Sequence, residues 1–347
     1  MSPPEDRPPI PPELSQFIVL DDFTRYGLVA GEPTDGPRYL QVELTDLCNL
    51  ACAGCLRAVH PSVGSHLSLA SFAALLDQAP EVEQVSFVGA GEALLVRDFA
   101  RYVALCTERS VFSSCNTNGL LIPRRLPSVL DAGLGLVAVS VDGADDETLA
   151  MMRSGLRLSR LTLALRTAVE LTGGTPTRVS AAVTLSVRNV THFPEIVTYV
   201  AEHGVREVTV ESLHHWGNDK SLNAESLFAL DPDTVVPHLE AGLRAALRLG
   251  LRLSIFDYRR LYDHDDPAVI CPWPWDASYV TKDGLVTPCC VHLEASDGNV
   301  LGNALKSPMA SIWSGPRYRD LRLSFMTGRL WDSCKSCVYR REFGRAR

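Results

Sequence analysis

Seven of the chain's ten cysteines stand in two groups, and no other feature narrows the possible folds as much. Cys48, Cys52 and Cys55 lie near the start, and Cys271, Cys289, Cys334 and Cys337 lie near the end. Grouped cysteines form disulfide frameworks in oxidising compartments and metal sites in reducing ones, so the compartment decides their meaning. The opening MSPPEDRPPIPPELS has no charged-then-apolar signal pattern. No apolar run reaches the roughly 18–20 residues that span a bilayer. The expectation is a cytoplasmic protein whose cysteines bind metal. With 46% hydrophobic and 21% charged residues, the chain can bury a real core. Its 33 basic and 41 acidic residues give a net charge of −8. That balance speaks against nucleic acid or an anionic membrane as partner, since both favour basic patches.

The 347 residues allow two domains. Residues 1–37 are rich in proline and read as an extended lead-in. Strand patterns follow at 39–44, 85–88, 111–115, 136–141, 179–185, 207–211 and 251–256. Helical patterns fall between them at 68–79, 98–109, 145–153, 158–171, 193–203 and 234–249. Alternation of this kind predicts an α/β fold with a parallel sheet, and six or seven units suit an open or partial barrel. Active sites in such folds lie at the carboxyl ends of the strands. From residue 261 onward Trp, Pro, Gly and Cys become frequent, which predicts a small metal-stapled domain over 261–347.

The first cysteine group, in Val42-Glu-Leu-Thr-Asp-Leu-Cys48-Asn-Leu-Ala-Cys52-Ala-Gly-Cys55, begins at the end of the first predicted strand. Three thiolates are one short of a closed zinc site or a fully ligated iron–sulfur cube. The open position suits catalysis, while a zinc knuckle completed by His60 or His66 is the plainer alternative. Three more segments end predicted strands: Val88-Gly89-Ala90-Gly91-Glu92, Asn116-Thr117-Asn118-Gly119, and Ser140-Val141-Asp142-Gly143 followed by Arg153. Glycines there let backbone approach a ligand closely, and a guanidinium suits a carboxylate.

Taken in order, these segments resemble the radical SAM superfamily, whose signature is Cys-x3-Cys-x2-Cys. The resemblance implies a partial (β/α)6 TIM-like barrel over residues 38–260. It also implies a 4Fe–4S cluster on Cys48, Cys52 and Cys55 with S-adenosyl-L-methionine on its open iron. By resemblance Glu92 takes the methionyl ammonium, and Ser140 and Arg153 take its carboxylate. Gly89, Gly91, Asn118 and Asp142 belong to the same cofactor-binding set. One departure is Gly54, which stands where an aromatic residue usually precedes the third cysteine.

In the second group, Cys271 opens a loop and Cys289 follows a hairpin turning at Asp283-Gly284. Cys334-Lys-Ser-Cys337 closes the set. Four thiolates from distant loops can close a zinc or an iron–sulfur site. This region resembles the SPASM/twitch extension of radical SAM enzymes. That pattern selects Cys289, five residues after Gly284, over Cys290, and it implies one auxiliary 4Fe–4S cluster on Cys271, Cys289, Cys334 and Cys337. The cysteine spacing is most like that of the butirosin-pathway 2-deoxy-scyllo-inosamine dehydrogenase.

Cys106 and Cys290 read as packed side chains. Cys115, at a strand end, is the candidate catalytic thiol, able to return a hydrogen atom to a substrate radical. The run Glu211-Ser-Leu-His214-His215-Trp216-Gly217-Asn218 reads as a pocket wall or a surface loop. Trp273 and Trp275 are expected around the auxiliary cluster, and Tyr258, Arg259 and Arg260 are candidate substrate contacts. The resemblance implies an enzyme that makes a 5′-deoxyadenosyl radical and draws electrons from a donor such as flavodoxin or ferredoxin. Its expected substrate is a small molecule, a sugar, aminocyclitol or nucleoside of natural-product (antibiotic) biosynthesis, oxidised at a carbinol carbon to a ketone. Redox-neutral epimerisation, dehydration or decarboxylation (for example of a glucuronosyl nucleoside) and peptide maturation are the alternatives. A zinc-stapled scaffold is the non-enzymatic one.

Overall fold

A computed structural model describes residues 11–17, 34–58, 62–214, 222–255, 271, 273–292 and 298–335. His60, the run 215–218, Phe256, Tyr258, Arg259, Arg260 and Cys337 lie outside the described residues. Seven strands run parallel in sequence order: β1 (Tyr39–Val42), β2 (Gln84–Phe87), β3 (Phe112–Thr117), β4 (Leu136–Ser140), β5 (Arg178–Leu185), β6 (Glu207–Ser212) and β7 (Arg252–Ile255). Between them run α1 (Leu69–Asp77), α2 (Phe99–Glu108), α3 (Ile122–Asp131), α4 (Asp146–Met152), α5 (Leu158–Thr172), α6 (Phe193–Glu202) and α7 (Pro232–Arg248). The fold is therefore α/β, a parallel sheet of the partial TIM-like kind, one strand longer than six units require. Strands such as β1 are buried on both faces, which is why they read as apolar runs and not as alternations.

Helix α3 is absent from the sequence-based expectation because Ile122-Pro-Arg-Arg-Leu-Pro carries two prolines. Pro123 sits in the first turn, where a missing N–H costs nothing, and Ile122, Leu126 and Val129 still form one buried stripe.

The C-terminal region joins the barrel edge to edge. β8 (Ala277–Val280) pairs in parallel with β1, placing Tyr39 opposite Ala277 and Val42 opposite Val280. β9 (Leu285–Thr287) then turns back antiparallel, as expected for a hairpin at Asp283-Gly284, and β10 (Gly302–Asn303) adds an antiparallel edge. The short helix Trp273–Asp276 precedes this hairpin, and Met309–Trp313, Pro316–Thr327 and Asp332–Lys335 follow it. One apolar core runs through both regions, from Leu40 and Val85 to Trp313 and Tyr318.

The lead-in is not wholly extended. Pro12–Phe17 forms a 3-10 turn that buries Leu14 and Phe17, and Glu13 pairs with Arg244 of α7. Two such side chains contribute about 1.5–3 kcal/mol each, enough to hold a proline-rich segment against the barrel. Trp313 Nε1 also donates to Thr34 O at 2.7 Å. Among the described residues no helix is long and apolar enough to cross a membrane.

Candidate active site

The carboxyl ends of the parallel strands open onto one cavity of about 230 Å³. Its wall carries Cys48, Cys52 and Cys55 together with Gly89, Gly91, Glu92, Asn118, Ser140, Asp142 and Arg153. Four separate sequence segments thus meet at one place, because each leaves its strand at the same end of the sheet.

The loop after β2 approaches the cysteine loop so closely that side chains are excluded. A Cβ on Gly91 would lie 2.7 Å from the Thr45 carbonyl carbon and 2.8 Å from Leu47 O, and closer still to Thr45 O. Glu92 N donates to Leu47 O at 2.8 Å, tying the two loops. The Glu92 carboxylate is 3% exposed and accepts from Thr117 Oγ1 (2.9 Å), Asn118 N (2.9 Å) and Leu94 N (3.1 Å). Burial still pushes this carboxyl above its ordinary range, the three donors notwithstanding. A cation beside it would be strongly favoured. Asn118 reaches the other way as well. Its Nδ2 donates to Asn49 Oδ1 at 2.8 Å and points at Cys48 Sγ at 3.7 Å.

Arg153 is held by Asp142, whose Oδ2 accepts from its Nε at 2.6 Å, while Asp142 Oδ1 accepts from Thr184 N at 2.7 Å. Burial works against the Arg153 charge, but Asp142 first and Cys52 next keep its pKa above the ordinary value. The thiols of Cys52 and Cys55 are pushed up, mainly by burial. Cys55 and Cys48 raise Cys52 further, Cys48 raises Cys55, and Arg153 lowers both. Among the described residues no three His, Cys, Asp or Glu side chains already stand in metal-holding geometry. The donor set nevertheless fits an iron–sulfur cluster with one open iron. Three partly buried thiols share a cavity with an N–H donor at one sulfur, the Glu92 carboxylate and the Arg153 guanidinium.

Two expected residues stand elsewhere. Cys115 is wholly buried in the apolar core and is not on the cavity wall. Only the last residues of β3, Asn116 and Thr117, reach the cavity, and Cys115 lies one step further back in the core. Burial raises the Cys115 thiol well above its ordinary pKa. Nothing in the structure supports a hydrogen-donor role for this thiol at the cavity. His66 bridges Thr45 through backbone and does not line the cavity either.

Other wall residues had not been singled out: Met151, Met152, Thr184, Arg188 and Glu225. Arg188 donates to Glu225 and, at 3.3 Å, to Met151 O. Its position just past β5 was the available signal, since strand ends carry sites. From the run 211–218, Glu211, Ser212, Leu213 and His214 do line the cavity. Leu213 Cδ1 lies 3.1 Å from where a Gly54 Cβ would be, so Leu213 fills the space left by the missing aromatic.

Residues 42–200 match the Radical SAM superfamily, and residues 271–338 match SPASM, an iron–sulfur cluster-binding domain. The chain carries a radical SAM domain followed by a SPASM domain. The first takes S-adenosylmethionine and a 4Fe–4S cluster, and the second takes an auxiliary iron–sulfur cluster. Among curated relatives, the tungsten-containing aldehyde ferredoxin oxidoreductase cofactor-modifying protein of Pyrococcus furiosus is 24% identical over 323 residues, 87% of this chain and 88% of that protein. The GTP 3′,8-cyclase of Mycolicibacterium smegmatis is 29% identical over 235 residues, 58% of this chain and 63% of the cyclase. Among solved structures, Streptococcus suis SuiB bound to the precursor peptide SuiA superposes with a TM-score of 0.67 at 15% identity, covering 86% of this chain and 69% of SuiB.

In the SPASM domain, Cys271 and Cys289 are partly exposed and Cys334 is buried. Trp275 packs edge-on against Phe325 at 5.7 Å, and Arg322 stacks on Trp313 at 4.5 Å. Arg322 also donates to Pro274 O at 2.7 Å and to Trp313 O at 2.9 Å. These contacts fix the segment after Cys271 against the helix Pro316–Thr327. Trp273 faces the radical SAM domain, packed with Leu56, Ala90 and Tyr279.

Proposed function

We propose that this radical SAM enzyme abstracts a hydrogen atom from a carbinol carbon of a small polar molecule and oxidises it to a ketone. The candidate substrates are a sugar, an aminocyclitol or a nucleoside. When bound, the cofactor and clusters supply a 5′-deoxyadenosyl radical for the abstraction and an acceptor for the second electron. In this reading Cys48, Cys52 and Cys55 hold the first cluster. Glu92 holds the methionyl ammonium, Ser140 and Arg153 its carboxylate, and Asp142 keeps Arg153 in place. Gly89 and Gly91 let the loop backbone close on the cofactor. Cys271, Cys289, Cys334 and Cys337 hold the auxiliary cluster.

The observation that carries the choice is the polar set that shares the cavity wall with the cysteines. Thr184, Arg188, Glu211, His214 and Glu225 present hydroxyl, cationic, anionic and imidazole groups within a space of small-molecule size. The burial of Cys115 in the apolar core, off the cavity wall, favours oxidation over epimerisation, which needs a hydrogen donor at the substrate. The cyclase relatives, named for GTP, make a nucleoside the first substrate to try. Peptide maturation is the second reading, prompted by the peptide-bound SuiB.

The test is anaerobic incubation of the reconstituted enzyme with nucleosides, aminocyclitols and peptides in deuterated water. The reading expects 5′-deoxyadenosine only with a nucleoside, sugar or aminocyclitol. It also expects one S-adenosylmethionine consumed per product and a product two hydrogens lighter. A product of unchanged oxidation state carrying deuterium would overturn it in favour of a redox-neutral reaction. Turnover of peptides alone would overturn it in favour of maturation.

A further inference from the structure

Beside the main core, one small apolar cluster stands apart, and its members flank both cysteine groups. Leu56 follows Cys55, Ala90 lies between Gly89 and Gly91, Trp273 lies two residues after Cys271, and Tyr279 lies on β8. Tyr279 is fully buried. Its hydroxyl donates to Glu43 Oε2 at 3.0 Å, across 236 positions of sequence. The same oxygen accepts from Ala90 N at 3.4 Å, and the Ala90 carbonyl lies 3.9 Å from Cys55 Sγ. A Cβ on Gly89 would fall 2.7 Å from Glu43 Cβ and 2.8 Å from the Tyr279 hydroxyl. The back of the cofactor-binding loop therefore rests directly on this pair.

We propose that Tyr279 is a positioning residue through which the SPASM domain sets the affinity of the radical SAM domain for S-adenosylmethionine. It acts through Glu43 on Ala90, and so on the loop from Gly89 to Glu92 and on Cys55. The loop carries Glu92, whose carboxylate direction depends on where the loop sits. The Lys282 backbone and ammonium also act on Glu43, and the buried phenol, from a strand paired to β1, fixes the Oε2 that accepts from Ala90. The 3.4 Å bond to Ala90 is long, so its alignment depends on that oxygen being held in place. Loss of the hydroxyl releases Glu43 Oε2 from the phenol, and the loop loses that backstop without losing any cofactor contact of its own.

The test compares two variants that each delete one buried hydroxyl from the SPASM domain. Tyr279→Phe removes the donor to Glu43. Tyr318→Phe removes a donor to Ser278 Oγ at 2.8 Å, on the opposite face of β8 from Tyr279. Equilibrium binding of S-adenosylmethionine to the anaerobically reconstituted holoprotein is read alongside iron content and melting temperature. Tyr279→Phe should need about five- to tenfold more S-adenosylmethionine for half-saturation at wild-type iron content, while Tyr318→Phe binds as wild type. Wild-type affinity in Tyr279→Phe overturns the proposal. Equal weakening in both variants also overturns it, because that would be general loosening. Should Tyr279→Phe fail to take up iron, Glu43→Asp, which keeps the charge and withdraws it from the phenol, is read by the same criteria. No substrate is needed, so the outcome is independent of the reaction proposed above.

Discussion

Gly91→Ala tests whether the cofactor-binding loop is placed by close backbone contact. The new methyl would meet Thr45 C at 2.7 Å and Leu47 O at 2.8 Å, both main-chain atoms that cannot rotate away. The loop would have to retreat by on the order of 1 Å, since packed interiors leave no slack. Overpacking of this kind costs about 1–3 kcal/mol. The retreat also strains the 2.8 Å bond from Glu92 N to Leu47 O, worth about 1 kcal/mol. It draws Glu92 away from Thr117 and Asn118 as well, so the loss should appear in cofactor affinity more than in stability. Calorimetric binding of S-adenosylmethionine to reconstituted protein should weaken at least tenfold, with a melting temperature lower by a few degrees. Gly54→Ala is the contrast, because its methyl meets only Leu213 side-chain carbons at 3.1 and 3.4 Å. That variant should bind within about twofold of wild type, since a flexible side chain can yield. Wild-type binding by Gly91→Ala, or a larger defect in Gly54→Ala, would refute the reasoning.

Three further outcomes follow from the same geometry. Arg153→Met should weaken S-adenosylmethionine binding by about 1.5–3 kcal/mol, as for a lost hydrogen bond to a charged group, and unchanged affinity by equilibrium dialysis would contradict it. Cys115→Ala should lower stability by about 1 kcal/mol in denaturant melts yet leave substrate-dependent 5′-deoxyadenosine formation intact, since its thiol is in the core; loss of that formation would contradict the placement. Asp276 is 1% exposed with neither carboxylate oxygen hydrogen-bonded, and burial pushes its pKa up to about 6. The folded state thus holds this proton more tightly than the unfolded chain, so stability falls as pH rises from about 4 to about 6 and the penalty is complete above that. Linkage makes it on the order of 2–3 kcal/mol, and Asp276→Asn should melt higher than wild type at pH 7.5 with a smaller gain at pH 5. Equal melting at both pH values would count against it.

The parts of the site that sequence made legible are those carried by spacing within one segment. The triad Cys48, Cys52 and Cys55, the Gly89–Glu92 turn and the Ser140-Val-Asp142 strand end each announce themselves locally, and strand order alone brings them to one cavity. Contacts between distant segments were not legible. Tyr279 meets Glu43 across 236 residues, and Arg188 meets Glu225 only because β5 and β6 lie side by side. Helix α3 was hidden by Pro123 and Pro127, since propensity weighs each proline without knowing that the first is harmless. Cys115 lies in the core because β3 runs on for two more residues, and it is Asn116 and Thr117 at its end that reach the cavity, an end point the sequence pattern placed too early. The small C-terminal region, expected as a separate domain, shares its sheet and its core with the barrel because β8 adds to β1.

The central claim is that the cavity built on Cys48, Cys52 and Cys55 is where S-adenosylmethionine is bound and opened. The direct measurement is 5′-deoxyadenosine formed by the anaerobically reconstituted protein under reduction, wild type against a variant with all three cysteines changed to Ala. The variant should form none and should hold about four fewer irons of about eight, keeping the auxiliary cluster's spectrum, because thiolates are the cube's protein ligands. Formation of 5′-deoxyadenosine by the triple variant at a rate near wild type would contradict the account.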